Sequence, residues 1–403
     1  MKKIFIVLVF IILTLSSCSI KREINEVINN VTNNITEERV TVNDYSIDDL
    51  EDAVVECIKK VENSVVGVTM KKETTVKIDM VDCVFYDSVS IGSAVIYKRI
   101  ENYDGDTLVN YTYYAFTNEH VVNDDSIADP KIFIYIDDGA LEIEAEVLGT
   151  DAKMDLAVVK FSTYRYIEPV TIGDSDKVNK GSMVVSIGNP EGYQYYGSAS
   201  LGIVSKNHVF KNSDTDNDGV SDFVCEYIQT DASINPGNSG GGLFTLDGKF
   251  IGIPSLKLVG TNIDNMGFAI PSNMISIAAS EYLELGLDII RPRFGITTVT
   301  VRDANSAFMS EYKITSWPNI YDGENPYGLY VTDKSNKGTL KDIDVEKNDI
   351  LLAIDGVKLY NNYDLSGRLN SLSMYQVGDE VELTYYDASV KEIKTINITL
   401  KQE

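Results

Sequence analysis

Histidine and cysteine are scarce in this chain of 403 residues, which holds 2 histidines and 4 cysteines. With so few histidines, only His120 and His208 are candidates for a base that titrates near neutral pH. No pair of cysteines has the CxxC spacing typical of zinc sites, so the sequence offers no zinc motif of that kind. Any chemistry that needs an imidazole therefore depends on one of two residues.

Basic residues are also few: 35 Lys and Arg stand against 61 Asp and Glu, for a formal net charge of −26. Nucleic-acid binding needs concentrated Lys and Arg to neutralise phosphates, and the chain has only short basic clusters. Nucleic acid is therefore excluded as a partner. The hydrophobic content of 44% in a chain of this length supports two well-packed cores.

The N-terminal hydrophobic run, Ile4 to Leu13, is too short for a comfortable transmembrane span. It follows Lys2-Lys3 and precedes small residues, a pattern typical of an export signal. Leu15-Ser16-Ser17-Cys18 resembles a bacterial lipobox, which implies a lipoprotein signal peptide over 1–17 and acylation of Cys18. A plain secretory signal with a chance cysteine is the alternative.

Acylation of Cys18 predicts a lipid-anchored tether over 18–45, which places the protein on the outer side of the cell membrane, outside the cytoplasm. Two or more acyl chains hold a protein stably on a bilayer, whereas one does not. Three cysteines remain, which is an odd number, and the sequence leaves open whether any two of them form a disulfide: Cys57, Cys83 and Cys225.

The segment from Ile228 to Leu243 places Ser239 in a glycine-rich turn directly after a strand-like run. Flanking glycines let the backbone fold back, so that the N–H groups of Gly237 and Ser239 point at one position. That position suits the oxyanion that forms when Ser239 attacks a carbonyl. Since many glycine-flanked serines occupy ordinary turns, this motif needs support from elsewhere in the chain.

Two upstream motifs supply that support. His120 follows an aromatic run, and Asp155 leads directly into the apolar run Leu156 to Val159. Alone, the histidine would be a half-buried residue at a strand end, and the aspartate a strand cap. Together they give the order His, Asp, Ser, with Ser239 as nucleophile, His120 as general base and then acid, and Asp155 orienting the imidazole.

These motifs resemble those of the HtrA (Deg) serine proteases, and the resemblance covers roughly residues 50 to 400. It implies a mainly β protein with a chymotrypsin-like double β-barrel over 46–290, followed by a smaller α+β domain, and a homotrimer. Gly242 and Ser233 depart from the residues common in the family, proline and alanine, and neither belongs to the triad. The segments that carry the resemblance are Thr117-Asn118-x-His120-Val121, Asp155-Leu156-Ala157-Val158, Ile187-Gly188-Asn189-Pro190, Gly202-Ile203-Val204-Ser205, Gly237-Asn238-Ser239-Gly240-Gly241 and Gly267-Phe268-Ala269-Ile270-Pro271.

Residues 291–403 resemble a PDZ domain. Phe294-Gly295-Ile296 matches the loop whose backbone N–H groups receive a peptide C-terminus, and a helix over 364–372 would flank the groove. Asn348 replaces a common glycine, and the stretch 338–347 matches poorly. A small β-rich domain that binds nothing is the alternative.

One segment is not expected from the family. Its carboxylates at alternate positions, followed by a glycine, are typical of a loop that wraps Ca²⁺: Asp214, Asp216, Asp218 and Asp222 are the candidate ligands. The glutamate usual at the twelfth position is replaced by Cys225, so a solvated turn is an equally good interpretation. No cofactor is required by the triad chemistry, and calcium in the loop 214–222 would be regulatory.

The candidate substrate pocket contains Ser233 and Ile234. A protease that cleaves after Lys or Arg needs a carboxylate six residues before the nucleophile, where this chain has Ser233, so we expect an apolar P1 residue. Unfolded or exported proteins are the expected substrates, and peptide C-termini the expected ligands of the second domain. The alternatives are a membrane-tethered peptide-binding chaperone with a silent protease domain and a secreted glutamyl endopeptidase, which the PDZ-like segment disfavours.

Overall fold

The computed structural model describes residues 47–402, apart from 79–80, 125, 128, 191, 214–222, 236, 256–265 and 322–324. Residues 53–403 form one compact unit. The described helices are α1 (Ile47–Val61), α2 (Glu119–Val122), α3 (Ser272–Glu281), α4 (Ser306–Glu311) and α5 (Asn362–Asn370). The described strands are β1 (Val65–Ile78), β2 (Val81–Asp104), β3 (Thr107–Thr117), β4 (Lys131–Ile136), β5 (Leu141–Asp151), β6 (Leu156–Thr163), β7 (Thr171–Ile172), β8 (Met183–Gly188), β9 (Ser198–Ser213), β10 (Phe223–Thr230), β11 (Gly242–Thr245), β12 (Lys249–Pro254), β13 (Gly267–Pro271), β14 (Ile296–Thr300), β15 (Leu329–Lys334), β16 (Ile350–Ile354), β17 (Val357–Lys358), β18 (Glu380–Asp387) and β19 (Glu392–Thr399).

The first six strands close into a barrel in the order β1-β2-β3-β6-β5-β4. Because side chains alternate across a strand, the apolar residues of each strand line the interior, and Val66, Val68 and Met70 are buried there. Burial of each such side chain contributes about 1.5–3 kcal/mol. The β5–β6 hairpin and the end of β3 bring two of the predicted catalytic residues to one rim of this barrel.

A second ring of six strands follows, in the order β11-β8-β9-β10-β13-β12, and pairing between β11 and β12 closes it. Helix α3 packs on this ring through Met274, Ile275 and Ala278, which are fully buried. The sequence predicts one helix from Ser272 to about Leu285. In the structure α3 ends at Glu281, and a short 3-10 turn then ends at Gly286, whose φ of +65° suits glycine.

The C-terminal sheet has the order β14-β15-β16-β18-β19, with β17 paired to β16. Helix α5 begins with a capping box in which Asn361 and Asp364 exchange side-chain and backbone hydrogen bonds, so it starts slightly before the predicted 364–372. The helix also packs on the second ring: a Cβ at Gly367 would lie 2.3 Å from Cδ1 of Phe210. Asn370 Nδ2 donates to the carbonyl of Val224 at 2.7 Å.

The predicted fold class, a mainly β double barrel followed by a smaller domain with sheet and helix, is confirmed. The boundary between 290 and 291 stays a prediction. The acidic residues Asp48 and Asp49 in Ser46-Ile47-Asp48-Asp49 predict the start of a helix that ends near Val61, and α1 confirms that helix. The six-residue α4 was not predicted. In the part of the chain that the structure describes, no helix combines the length and apolarity needed to span a bilayer.

Candidate active site

Asp155 lies in the turn of the β5–β6 hairpin, directly before β6. Asp151 anchors that turn, because its Oδ1 accepts the N–H of Met154 at 2.7 Å. Asp155 adopts a φ of +57°, a left-handed conformation that Asp tolerates better than most residues. This backbone geometry aims the carboxylate inward, where only 4% of the residue is exposed.

His120 is the residue that the Asp155 carboxylate holds. Nδ1 of His120 lies 2.8 Å from Oδ1 and 2.9 Å from Oδ2 of Asp155. The His120 backbone N–H also donates to Oδ1 at 3.2 Å, and Ser255 Oγ donates to Oδ2 at 2.6 Å. A proton on Nδ1 satisfies the carboxylate and leaves Nε2 as an acceptor, which is the tautomer that a general base requires.

Ser239 lies between β10 and β11 in a turn shaped by positive φ values at Gly237 (+94°) and Gly240 (+80°). A Cβ at Gly240 would lie 2.1 Å from the carbonyl oxygen of Ser93, so a larger residue does not fit without backbone movement. Ser239 is 3% exposed, and its Oγ has no hydrogen-bond partner among the described residues. The nucleophile candidate is therefore buried with an unengaged hydroxyl.

Ser93 holds two carbonyl groups of the candidate oxyanion-binding segment, those of Gly237 and Ser239. Its N–H donates to the carbonyl of Ser239 at 2.9 Å, and its Oγ donates to the carbonyl of Gly237 at 2.7 Å. The Ser93 Oγ in turn accepts the N–H of Asn189 at 2.8 Å. Between the described residues, the N–H groups of Gly237 and Ser239 make no hydrogen bonds, as an oxyanion-binding pair requires.

Asn118 ties the three triad segments together. Its Nδ2 donates to the carbonyl of Asp155 at 2.7 Å, and its Oδ1 accepts the N–H of Gly240 at 2.6 Å. Asn118 is fully buried two residues before His120. The sequence showed this asparagine inside a motif, but neither its role nor those of Ser93 and Ser255 follow from the motif.

The candidate substrate pocket is only partly described, because residues 256–265 are outside the described set. Ser233 is exposed, and its carbonyl accepts hydrogen bonds from Ser200 Oγ at 3.2 Å and Asn238 Nδ2 at 3.4 Å. The Ile234 side chain packs against Gly267, where a Cβ would lie 2.4 Å from Ile234 Cδ1. This wall of the pocket is apolar.

The second candidate site is a groove between β14 and α5 with a volume of about 330 Å³. Phe294, Gly295 and Ile296 line one end, as the predicted carboxylate-binding loop would. Gly295 has a φ of +76°, and a Cβ there would lie 1.9 Å from the carbonyl oxygen of Lys337. Only glycine fits this loop without backbone movement.

The remaining candidate site residues lie outside the described set. These are the lipidation site Cys18 and the candidate calcium ligands Asp214, Asp216, Asp218 and Asp222. Among the residues that the structure does describe, no three His, Cys, Asp or Glu side chains are grouped to hold a metal ion. Cys57, Cys83 and Cys225 are free thiols, and burial raises the pKa of Cys225 to about 12.

Comparison with known proteins links this geometry to a family. A trypsin-like peptidase domain model matches residues 102–253. The chain is 30% identical over 302 residues to "Serine protease Do-like HtrA" of Lactobacillus helveticus, a match covering 74% of this chain and 66% of that protein. It is 32% identical over 315 residues to "Serine protease HtrA-like" of Staphylococcus aureus strain MRSA252, covering 77% of this chain and 37% of that protein. The chain thus spans less than two thirds of the length of either curated relative.

Solved structures share the fold. "HtrA-type protease AlgW with decapeptide" superposes with a TM-score of 0.59 at 21% identity, covering 87% of this chain and 98% of that chain. A serine endoprotease from Yersinia pestis gives a TM-score of 0.51 at 22% identity, with 87% and 98% covered. This chain therefore has a trypsin-like peptidase domain and is a homologue of the HtrA serine proteases over 74% of its length.

Proposed function

We propose that the protein is a serine endopeptidase that cleaves peptide bonds through Ser239, His120 and Asp155. The observation that carries the proposal is the hydrogen bond from His120 Nδ1 to Asp155, 2.8 Å long. The Asn118 amide, which bonds to Asp155 and to Gly240 beside the buried Ser239, supports the same assignment. The matching peptidase-domain model and the HtrA relatives support it independently.

In the proposed reaction, Ser239 Oγ attacks the scissile carbonyl carbon while Nε2 of His120 takes its proton. The negative charge on the carbonyl oxygen is stabilised by the N–H groups of Gly237 and Ser239. Asp155 holds the imidazolium, which then gives the proton to the leaving amine nitrogen as the peptide C–N bond breaks. Water, deprotonated by the same imidazole, attacks the acyl-enzyme ester and releases Ser239.

We propose that the enzyme prefers apolar P1 residues in unfolded or exported proteins. The apolar contact of Ile234 with Gly267 supports this preference, because a Lys or Arg side chain would find no carboxylate at Ser233. The expected export signal and Cys18 anchor favour an extracytoplasmic, membrane-attached location, and the family resemblance favours a homotrimer. Discrimination between apolar residues of similar size would be modest, at about 1–3 kcal/mol per methylene.

The groove between β14 and α5 is proposed to bind peptide C-termini. A tight, glycine-containing loop at one end and an edge strand beside a helix are the elements of strand-addition recognition. The HtrA-type protease AlgW, which shares this fold, has been solved with a decapeptide.

We also propose that the segment 214–222, which follows β9 and precedes β10 in the sequence, binds calcium through its alternating carboxylates and thereby regulates the nucleophile loop that follows β10.

The experiment is casein cleavage by a chain lacking residues 1–18, beside a Ser239→Ala variant, each with calcium or with EDTA. Cleavage that disappears in the variant supports the peptidase, and dependence on calcium supports regulation by 214–222. Absence of cleavage in every condition, with retained binding of unfolded protein, would favour the peptide-binding chaperone with a silent protease domain.

A further inference from the structure

Arg291 is a buried arginine in the segment that connects the second ring to the C-terminal sheet. Its side chain is 4% exposed, and its guanidinium forms two parallel hydrogen bonds to Asp151: Nη1 to Oδ2 at 3.0 Å and Nη2 to Oδ1 at 3.0 Å. The guanidinium carbon also lies 5.1 Å from the ring centroid of Phe223. This planar, two-pronged contact is one that lysine cannot reproduce.

Asp151 is the last residue of β5 and pairs with Leu156 across the hairpin that presents Asp155. The Asp151 carboxylate accepts hydrogen bonds from two sources: the Arg291 guanidinium and the N–H of Met154, one residue before Asp155. The strained left-handed backbone of Asp155 depends on this turn keeping its shape. Arg291 therefore bonds to Asp151, Asp151 bonds to the N–H of Met154, and the next residue in the chain, Asp155, bonds to His120.

We propose that Arg291 is a positioning residue for catalysis: by holding the Asp151 carboxylate, it fixes the hairpin turn that orients Asp155 toward His120. The inference rests on the proposed function, since it assigns Asp155 a catalytic role. Arg291 does not contact the reacting atoms, and it acts only through Asp151. Catalytic groups must keep their geometry within about 0.5 Å, and a misplacement of about 1 Å costs roughly 100-fold in rate.

The arrangement of Arg291 favours a positioning role over simple packing. Its Nε has no hydrogen-bond partner among the described residues, so this buried cation gains its compensation chiefly from Asp151. Two residues on, the backbone of Arg293 is tied to the chain segment after β19, because its N–H donates to the carbonyl of Lys401 at 3.0 Å. Arg291 thus follows the second ring and closely precedes a residue anchored to the C-terminal segment, while its own side chain bonds to Asp151 at the end of β5.

The test compares Arg291→Met and Arg291→Lys in the full-length chain, purified in detergent. Lys394→Met is the matched control, because it removes the cation from the buried Asp387 carboxylate of the C-terminal sheet. We expect Arg291→Met to lower kcat about 10- to 100-fold with little change in KM, and Arg291→Lys to lower it less.

A double variant, Asp151→Asn with Arg291→Met, should be no slower than Arg291→Met alone, because both changes break one interaction. The proposal is overturned if Arg291→Met and Lys394→Met lose similar thermal stability while the kcat and KM of both match those of the parent protein. If the parent protein cleaves nothing, the proposed function fails instead. The low-field proton NMR signal of the His120–Asp155 hydrogen bond, assigned with His120→Ala, then decides: its loss in Arg291→Met supports the positioning role, and its persistence overturns it.

Discussion

The side-chain oxygen of Asn118 accepts a hydrogen bond from the backbone N–H of Gly240, 2.6 Å away. This contact joins the segment that carries His120 to the turn that carries Ser239, although Asn118 and Gly240 are separated by 122 positions. The same side chain donates to the carbonyl of Asp155. One buried amide therefore sets the relative positions of all three proposed catalytic residues.

Replacing Asn118 by Ala should leave the Gly240 N–H and the Asp155 carbonyl without partners. Each buried group left unpaired costs about 1–3 kcal/mol, so we expect a loss of roughly 2–6 kcal/mol in the free energy of unfolding, and a kcat at least about 10-fold lower. Urea unfolding and peptide hydrolysis measure the two effects. Asn102→Ala is the control, because Asn102 makes two side-chain hydrogen bonds on the β2–β3 hairpin. Equal kcat in the two variants would contradict the bridging role.

Gly240→Ala should inactivate the enzyme. The added Cβ would lie 2.1 Å from the Ser93 carbonyl oxygen, so the nucleophile turn must shift away from Ser93. We expect a loss of at least about 100-fold in kcat. Gly105→Ala is a matched control, because Gly105 also has a positive φ (+60°) but nothing within 4 Å of the added Cβ. The Gly105→Ala variant should be destabilised by only about 1–2 kcal/mol, the cost of a left-handed backbone for alanine, and should keep its kcat. Retained activity in Gly240→Ala would show that the turn tolerates this shift.

The pair of His208 and Glu226 should make stability depend on pH. The Glu226 carboxylate accepts a hydrogen bond from His208 and another from Ser371 on the segment after α5. The hydrogen bond with Glu226 raises the pKa of His208 above 6.5, which burial opposes; Asp176 raises it further and Arg368 lowers it. A raised folded-state pKa means that the stabilisation is complete below the unfolded-state pKa and is lost as pH rises through the folded-state pKa.

The measurement for that pair is thermal unfolding between pH 5.5 and 9 for the parent chain and for His208→Gln. The parent chain should lose part of its advantage over the variant as pH rises, because the histidine becomes neutral beside Glu226. A difference in Tm that stays constant across this range, or grows with pH, would contradict the assigned direction of the pKa shift.

Ser233→Asp should redirect specificity toward Lys and Arg at P1. It places a carboxylate at the position that a basic side chain would need, beside the apolar wall formed by Ile234 and Gly267. We expect the ratio of kcat/KM for a Lys substrate to that for a Leu substrate to rise by about 10-fold or more, since a charged hydrogen bond is worth about 1.5–3 kcal/mol. Ser280→Asp on α3 adds the same charge elsewhere. An identical ratio in both variants would place the pocket somewhere other than Ser233.

The sequence predicted the elements and residues whose signals are local. The motifs that resemble those of HtrA proteases predict one site with His120, Asp155 and Ser239, and the structure shows the contact of His120 with Asp155. The helix at α5 was displaced by only two residues. The six residues of α4 are too few to show a helical period, so that helix was missed.

The supporting residues could not be predicted because their partners are distant in the chain. Arg291 and Asp151 are 140 positions apart, and Ser93 and Gly237 are 144 apart. Ser93 stands before an apolar run and Arg291 before a proline, and neither local pattern distinguishes a positioning residue from a surface residue. Their roles become visible only when the barrels close and bring the hairpin turns together.

The most direct test of the central claim is labelling of the chain with a fluorophosphonate, followed by mass spectrometry of its peptides. We predict one adduct, on the peptide that contains Ser239, absent from Ser239→Ala and formed at least about 100-fold more slowly in His120→Ala. Casein cleavage should fall in parallel in both variants. An adduct on another residue, or casein cleavage that persists in Ser239→Ala, would contradict the assignment of Ser239, His120 and Asp155 as the catalytic triad.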